Sequence, residues 1–266
     1  MSAPRVLDTS TEMPTTIRSG LRHWFRSLGL MMRFDFARAR EWAAMMALVQ
    51  VLMGAGMALM YSFFYPSVDP MTALYIATGA PTLALIPLGF VMIPQGVGEQ
   101  KQQGTFDFIW SLPTPRSAQA ASTFLLYTAL SLPGTLLALL VAVWRFHISL
   151  DVSLLIVPAA LLCALMAISV GFGTALAVGN PMITNLISNA LVFLVLLFSP
   201  IVFPASNLPD WLHRAHEILP FYSMAEVIRA GLTTGIVQDT ARSFLVLTIW
   251  TIVGWALTAR IVGRRG

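Results

Sequence analysis

Long apolar segments alternate with short polar breaks along most of the chain. A membrane-spanning helix needs about 20 mostly apolar residues. Segments of that length lie at residues 42–64, 72–95, 118–144, 152–178, 182–203 and 243–262. Asn180-Pro181 at the start of the fifth segment offers a helix cap followed by proline in the first turn. The pattern predicts an all-α, polytopic membrane protein with six transmembrane helices, of which the fourth and fifth are antiparallel neighbours.

The first 40 residues mix apolar and basic positions instead of forming a span. The apolar side chains recur at helical spacing and are Leu21, Trp24, Phe25, Leu28, Met31 and Met32. Arg22, Arg26 and Arg33 form a separate stripe, which is typical of an amphipathic helix lying among lipid headgroups. Such a helix serves either as a membrane anchor or as a docking elbow for a cytoplasmic partner. We therefore divide the chain into residues 1–40 (tail and interfacial helix) and 41–266 (transmembrane domain).

Residues 96–117 are too polar to cross a membrane, yet they carry apolar side chains. These are Phe106, Phe108, Ile109, Trp110 and Leu112. A short helix is predicted here, with Thr105 as its cap and Pro113 as its stop. Because one and a half turns are not stable alone, this helix must rest on the ends of the spans or on another protein.

Two further short helices are predicted at about residues 205–235, between the fifth and sixth spans. The first presents one apolar face, made of Leu208, Trp211, Leu212, Ala215, Ile218 and Leu219. The second follows Pro220 and runs from Met224 to Ile228. Neither is long enough to span, so both are expected to dip into the outer leaflet or to cap the spans.

Composition excludes a soluble protein, because only 11% of residues are charged and 57% are hydrophobic, against about 25% charged in soluble domains. The chain is basic, but its basic residues sit at the ends of apolar runs, so nucleic acid is not indicated as a partner. With six spans, 12 of the 16 Lys and Arg residues fall on the side of the two termini. This bias predicts a multi-pass protein of the bacterial inner membrane with both termini cytoplasmic.

Candidate chemistry is sparse. His213, His216 and Glu217 are the nearest approach to a metal site, but zinc needs an organised set of ligands and all three fit the polar side of an amphipathic helix. Cys163 is the only cysteine, which excludes an intrachain disulfide and a cysteine metal cluster. We expect no catalytic residue, no metal and no cofactor in this chain.

The sequence contains no phosphate-binding loop for ATP. A phosphate loop requires Lys between Gly and Ser or Thr, whereas the only lysine, Lys101, lies between Gln100 and Gln102. A transporter driven by an ion gradient usually carries ionisable residues within its spans, and no predicted span has one near its centre. The absence of such residues counts against an ion-gradient-driven secondary transporter.

The fifth span carries two polar residues, Asn185 and Asn189, which share a helix face at a spacing of four. They either form interhelical hydrogen bonds or line a path at a dimer axis. Phe193 in the same span and Pro87 in the second would suit a path for amphipathic cargo, and would equally suit ordinary packing.

Two local patterns give the chain a family resemblance. The first contains Glu99, Gly104-Thr105, Leu112-Pro113 and Arg116. The second contains Ser199-Pro200, Phe203-Pro204, Leu208-Pro209 and Leu219-Pro220, followed by Glu226 and Arg229. Together and in this order they resemble the type-2 ABC transporter permeases, the membrane subunits of exporters for drugs, polysaccharides and lipid-linked molecules. The resemblance covers nearly the whole chain, although Gln100, Gln102 and Gln103 stand where members more often carry charges.

The resemblance implies a mechanism and its partners. Residues 98–117 would form a coupling helix seated in a groove of a separate ATPase, two copies of which carry the ATP and Mg. The coupling residues implied are Glu99, Lys101, Gly104, Thr105, Phe106, Asp107, Phe108, Leu112, Pro113 and Arg116. Arg22, Arg26 and Arg33 would form the docking elbow. A second permease, identical or related, and membrane lipids complete the expected partners.

The implied function is export of a lipophilic or amphipathic substrate such as a drug or a lipid-like molecule. Hydrophobic walls without charged residues favour such cargo over long hydrophilic polymers. Export of a polysaccharide or glycolipid by the same type of permease is the alternative.

Overall fold

The computed structural model describes residues 20–64, 69–178, 180–237 and 239–263, and these ranges contain helices and no strands. The α-helices are α1 (Leu21–Ala39), α2 (Ala43–Phe64), α3 (Pro70–Pro87), α4 (Ile93–Gln102), α5 (Thr105–Ser111), α6 (Arg116–Phe146), α7 (Ile156–Ala177), α8 (Pro181–Phe198), α9 (Asp210–Ile218), α10 (Pro220–Leu232) and α11 (Thr240–Gly263). A π-helical turn, Leu88–Met92, joins α3 to α4, and a 3-10 turn, Ala205–Asn207, precedes α9.

Six helices in the described ranges are long and apolar enough to cross a membrane, which confirms the predicted fold class. They are α2, the continuous run from α3 to α4, α6, α7, α8 and α11. The fifth is shorter than predicted and ends at Phe198, because Ser199 precedes Pro200 and is extended. The second and third are longer than predicted, at 33 and 31 residues.

The second span is the centre of the bundle. In its most apolar stretch 89% of residues are buried, against 22% in α8 and in α11. Asp69 caps its start by accepting a hydrogen bond from the Thr72 amide, and Pro70 occupies the first turn. Pro87 and Pro94 flank the π-helical turn, where missing amide donors interrupt the regular hydrogen bonds of an α-helix.

Small residues allow α7 to lie directly against the π-helical turn. A methyl group added to Gly171 would collide with the carbonyl oxygen of Gly89, and one added to Gly89 would collide with Ala167. Van der Waals contact between close backbones is the main attraction between helices in lipid. This crossing therefore fixes the centre of the bundle.

Helix α8 begins at the predicted cap and packs mainly against α4. Asn180 caps it by accepting a hydrogen bond from the Met182 amide (2.9 Å), and Pro181 follows in the first turn. Helix α8 is in contact with α7, but it packs mainly along α4 and the π-helical turn. Gly98 of α4 leaves room for the Pro181 ring, so the start of α8 can lie close to the backbone of α4.

The bundle has two distinct ends. Helix α5 lies at one end, which we call the α5 end, and α9 and α10 lie at the other, the α9 end. Helix α1 also lies at the α5 end, where Trp24 donates a hydrogen bond to Ser117 (3.0 Å) and Ser122 donates one to Asp35 (2.5 Å). These contacts hold an amphipathic helix across the start of α6.

Candidate coupling and transport sites

Helix α5 is separated from α4 by a sharp turn at Gly104. The φ angle of Gly104 is 70°, a left-handed conformation that glycine adopts without steric cost. Gly104, and not Thr105, occupies the capping position, so the prediction of Thr105 as cap is wrong; Thr105 is the first helical residue. The predicted 98–117 segment thus contains the last turn of α4, α5 itself and a short loop to α6.

Two contacts fix the position of α5 on the bundle. Phe106 is buried in an apolar cluster with Val97, Ala175 and Leu176. On the other side, the Gln119 side chain donates hydrogen bonds to the Ile109 carbonyl (2.8 Å) and to the Thr114 hydroxyl (3.0 Å). The short helix therefore rests on α4, α6 and α7.

The predicted coupling residues divide between inward and outward positions. Lys101 donates a hydrogen bond to the Ala175 carbonyl (2.6 Å) and so stabilises the C-terminal turn of α7. The exposed members are Glu99, Gly104, Asp107, Phe108, Pro113 and Arg116. Phe108 is 60% exposed, which makes it an apolar side chain on the outer surface of α5. Leu112 is half-buried and ends the helix in an extended conformation before Pro113.

The predicted docking elbow presents its arginines outward. Arg22, Arg26 and Arg33 are all exposed on α1, while Ser27 and Met31 face the bundle. Because α1 and α5 both lie beside the start of α6, the two predicted docking elements occupy the same end of the molecule.

The predicted substrate-path residues only partly come together. Asn185, Asn189 and Phe193 follow one another along an exposed strip of α8, where Phe193 is 64% exposed. The Asn185 side-chain oxygen accepts hydrogen bonds from Gln95 of α4 (2.7 Å) and from Asn189 (2.6 Å). Pro87 is enclosed at the centre of the bundle, so it does not lie on this strip.

One buried charge was missed as a site by the sequence analysis. Arg229 of α10 is 0% exposed, and each of its three guanidinium nitrogens donates a hydrogen bond. It forms an ion pair with Glu226 (2.6 Å) and donates hydrogen bonds to the Thr78 hydroxyl (3.1 Å) and the Ile201 carbonyl (2.7 Å). It also lies 4.1 Å from the centre of the Tyr75 ring.

These contacts make Arg229 the link between three elements. They join α10 to α3 and to the chain that leaves α8. Burial lowers the pKa of Arg229 from its ordinary value, and the neighbouring Glu226 raises it. The sequence did contain one indication of this ion pair. Glu226 and Arg229 are three positions apart, which places their opposite charges on one helix face.

The histidines and the glutamate of α9 do not converge. His216 points into the bundle and is only 4% exposed, whereas it was expected on the polar side of the helix. Glu217 forms an ion pair with Arg242 of α11 (3.0 Å), and the His213 ring lies edge-on to Tyr222. Within the described ranges, no three His, Cys, Asp or Glu side chains are grouped to hold a metal ion.

Comparison with known proteins identifies the family. The family model described as ABC-2 family transporter protein matches residues 65–260, which extends from just before α3 into α11 and covers well over half of the 266 residues. A search of the curated proteins gave no match. The chain is thus a multi-pass membrane subunit of an ABC transporter, and it belongs to the ABC-2 transporter family.

Proposed function

We propose that the protein is the permease of an ATP-driven exporter that moves a lipophilic or amphipathic substrate outward across the bacterial inner membrane. It acts as a dimer with a second permease, and two copies of a separate ATPase bind at the α5 end. ATP and Mg are held by that ATPase and not by this chain. Both termini and the α5 end lie in the cytoplasm, and the α9 end faces outward.

The observation that carries the proposal is the presence of two polar residues on the exposed strip of α8. Asn185 and Asn189 are exposed on a helix of membrane-spanning length, and hydrocarbon offers no hydrogen-bond partners to such groups. Their remaining hydrogen-bonding capacity is satisfied if a second permease or a solvated path covers the strip. A dimer axis beside α8 would provide such a cover for the strip.

The α5 end supports docking of the ATPase. Helix α5 is held against the bundle by Phe106 and Gln119, and it still exposes Asp107 and Phe108. A fixed helix with exposed charged and aromatic side chains suits insertion into a groove, because little conformational entropy is lost on binding.

The surface of α8 favours lipophilic cargo over a long polysaccharide. Besides the two asparagines, its exposed side chains are apolar and include Met182, Leu186, Phe193, Leu194, Leu197 and Phe198. An apolar wall with a few polar positions binds an amphipathic molecule, whereas a polymer of sugars requires many hydrogen-bond partners.

Transport assays test this function directly. The chain, reconstituted in vesicles with its partner ATPase, should move a lipophilic dye outward only with ATP and Mg. Asn189→Ala should reduce transport while the permease–ATPase complex still forms. Transport that continues without the ATPase and stops when the proton gradient is collapsed would contradict the proposal.

Cysteine cross-linking tests the dimer axis. Cys163 is fully buried, so it gives little background reaction. Phe193→Cys should form a disulfide-linked dimer in membranes. The matched control is Leu140→Cys, an exposed position on α6, which should remain monomeric. Cross-linking at residue 140 and not at residue 193 would place the dimer axis elsewhere.

A further inference from the structure

A cleft of about 300 Å³ opens at the α5 end. One of its lining residues, Gln95, also donates the hydrogen bond to Asn185 on the exposed strip of α8. Its walls come from α1, α2, α4, α5, α6, α7 and α11. The buried part of the wall is apolar and includes Val97, Phe106, Leu126 and Ile168. Four charged residues also line it, namely Asp35, Arg38, Glu99 and Arg116.

The charges of the cleft are balanced. Two carboxylates and two guanidiniums line it, so it has no net preference for an anion or a cation. Burial raises the pKa of Asp35 above its ordinary value, while a hydrogen bond from Ser122 and the nearby Arg38 lower it. A ligand that carries both a phosphate and an ammonium would find donors in the arginines and acceptors in the carboxylates.

The position of the cleft places it near lipid. Helix α1, which provides Asp35 and Arg38, has the mixed apolar and basic sequence of an interfacial helix. Met45 of α2 lines the cleft and is itself exposed. Trp42 and Trp255 also line it, and tryptophan is enriched at the level of the headgroups.

The volume limits what can be enclosed. Pockets for small ligands range from about 300 to 1,000 Å³, so this cleft is at the lower limit. It has room for a compact polar group but not for acyl chains as well. A lipid held here would keep its chains outside, along the exposed apolar surface of α2 beside Met45.

From this combination we infer that the cleft binds the headgroup of a zwitterionic phospholipid with a primary ammonium, such as phosphatidylethanolamine. Arg38 and Arg116 bind the phosphate, and Asp35 and Glu99 accept hydrogen bonds from the ammonium. The lipid is a resident ligand and not the transported cargo. Because Arg38 lies on α1 and Phe106 and Ile109 of α5 share the same cleft, its headgroup joins the two elements proposed to bind the ATPase.

Native mass spectrometry of the purified full-length chain tests the inference without an ATPase or transport. The protein is loaded with phosphatidylethanolamine, phosphatidylcholine or phosphatidylglycerol of identical acyl chains. We expect phosphatidylethanolamine to be retained preferentially. Asp35→Asn should weaken its retention about tenfold, the effect of losing one hydrogen bond to a charged group. Arg40→Gln, which removes an exposed charge at the end of α1 outside the cleft, is the matched control and should retain the lipid.

A second variant fills the cleft without changing its charge. Ala120 lines the wall on α6, and Ala120→Phe should also displace the lipid. Equal retention of phosphatidylglycerol, or undiminished retention by both variants, would overturn the inference. So would equally tight binding of free phosphoethanolamine, since the acyl chains would then contribute nothing. A disulfide between Met45→Cys chains would show that a second permease covers the cleft instead.

Discussion

The Arg229 guanidinium donates a hydrogen bond to the Thr78 hydroxyl at 3.1 Å, across 151 positions of the chain. Through this bond a short helix at the α9 end is tied to the most buried helix of the bundle. The ion pair between Arg229 and Glu226 has little contact with solvent, since the two side chains are 0% and 10% exposed. Removing one partner of a buried pair leaves the other charge without compensation.

Arg229→Leu should therefore destabilise the protein by about 3–5 kcal/mol, the usual cost of breaking a buried ion pair. The measurement is thermal unfolding in detergent, in which unfolding is monitored as the loss of the monodisperse peak. Arg214→Leu, which changes an exposed arginine on α9, should alter stability by less than about 0.5 kcal/mol. Equal melting temperatures for the two variants would contradict the structural role of Arg229.

Gly171→Ala should destabilise the bundle, because its added methyl collides with the Gly89 carbonyl oxygen and neither backbone can move freely. Overpacking of this kind costs about 1–3 kcal/mol or more. Gly56→Ala is the matched control, since its added methyl meets nothing within 4 Å. That change should be neutral or stabilise α2 by up to about 1 kcal/mol. Thermal unfolding of both variants gives the comparison, and a stable Gly171→Ala protein would rule out the close crossing.

Glu217→Gln should have only a small effect at neutral pH. The side-chain hydrogen bond from Arg242 lowers the pKa of Glu217, so the folded state favours the ionised carboxylate. The stability from this pair is fully present above the unfolded value of about 4.3 and is lost as the pH falls through the lower folded value. The two side chains are 50% and 30% exposed, so the pair contributes about 0.2–1 kcal/mol. A double-mutant cycle with Arg242→Gln at pH 7 and in acid measures this coupling, which should disappear in acid.

His216 should make stability depend on pH in a different range. Burial lowers its pKa, so the folded state favours the neutral ring, while the unfolded chain takes up a proton near pH 6.5. Stability is therefore full above about pH 6.5 and decreases as the pH falls below it. The melting temperature should decrease between pH 7 and pH 5, and His216→Phe should flatten that part of the profile. His213→Gln controls for the neighbouring histidine; an unchanged profile in His216→Phe would contradict the assignment.

The six spans could be predicted because each depends only on local sequence. About 20 apolar residues in a row specify a spanning helix without knowledge of its neighbours. Asn180-Pro181 fixed the start of α8 in the same local way. Gly104 was quoted only as part of the family pattern, and its role as the cap of α5 was missed because its left-handed φ is a property of the folded chain.

Helix pairing could not be predicted, because it depends on small residues that are far apart in sequence. The contact between Gly89 and Gly171 and the space that Gly98 leaves for Pro181 appear only when the helices are assembled. The same holds for the candidate sites. Asn185 and Asn189 were found from their spacing, but the donor Gln95 lies 90 positions from Asn185. Arg229 was noted only as part of a family pattern, since an arginine on a short amphipathic helix is ordinarily exposed.

The length of the second span has a consequence for how the protein meets its surroundings. At 1.5 Å per residue, the 33 residues from Pro70 to Gln102 form a rod of roughly 50 Å, while the hydrocarbon core measures about 30 Å. Tilting absorbs only part of that excess. The rod therefore extends beyond the hydrocarbon core and holds α5 above the level of the acyl chains, where a water-soluble protein can reach it.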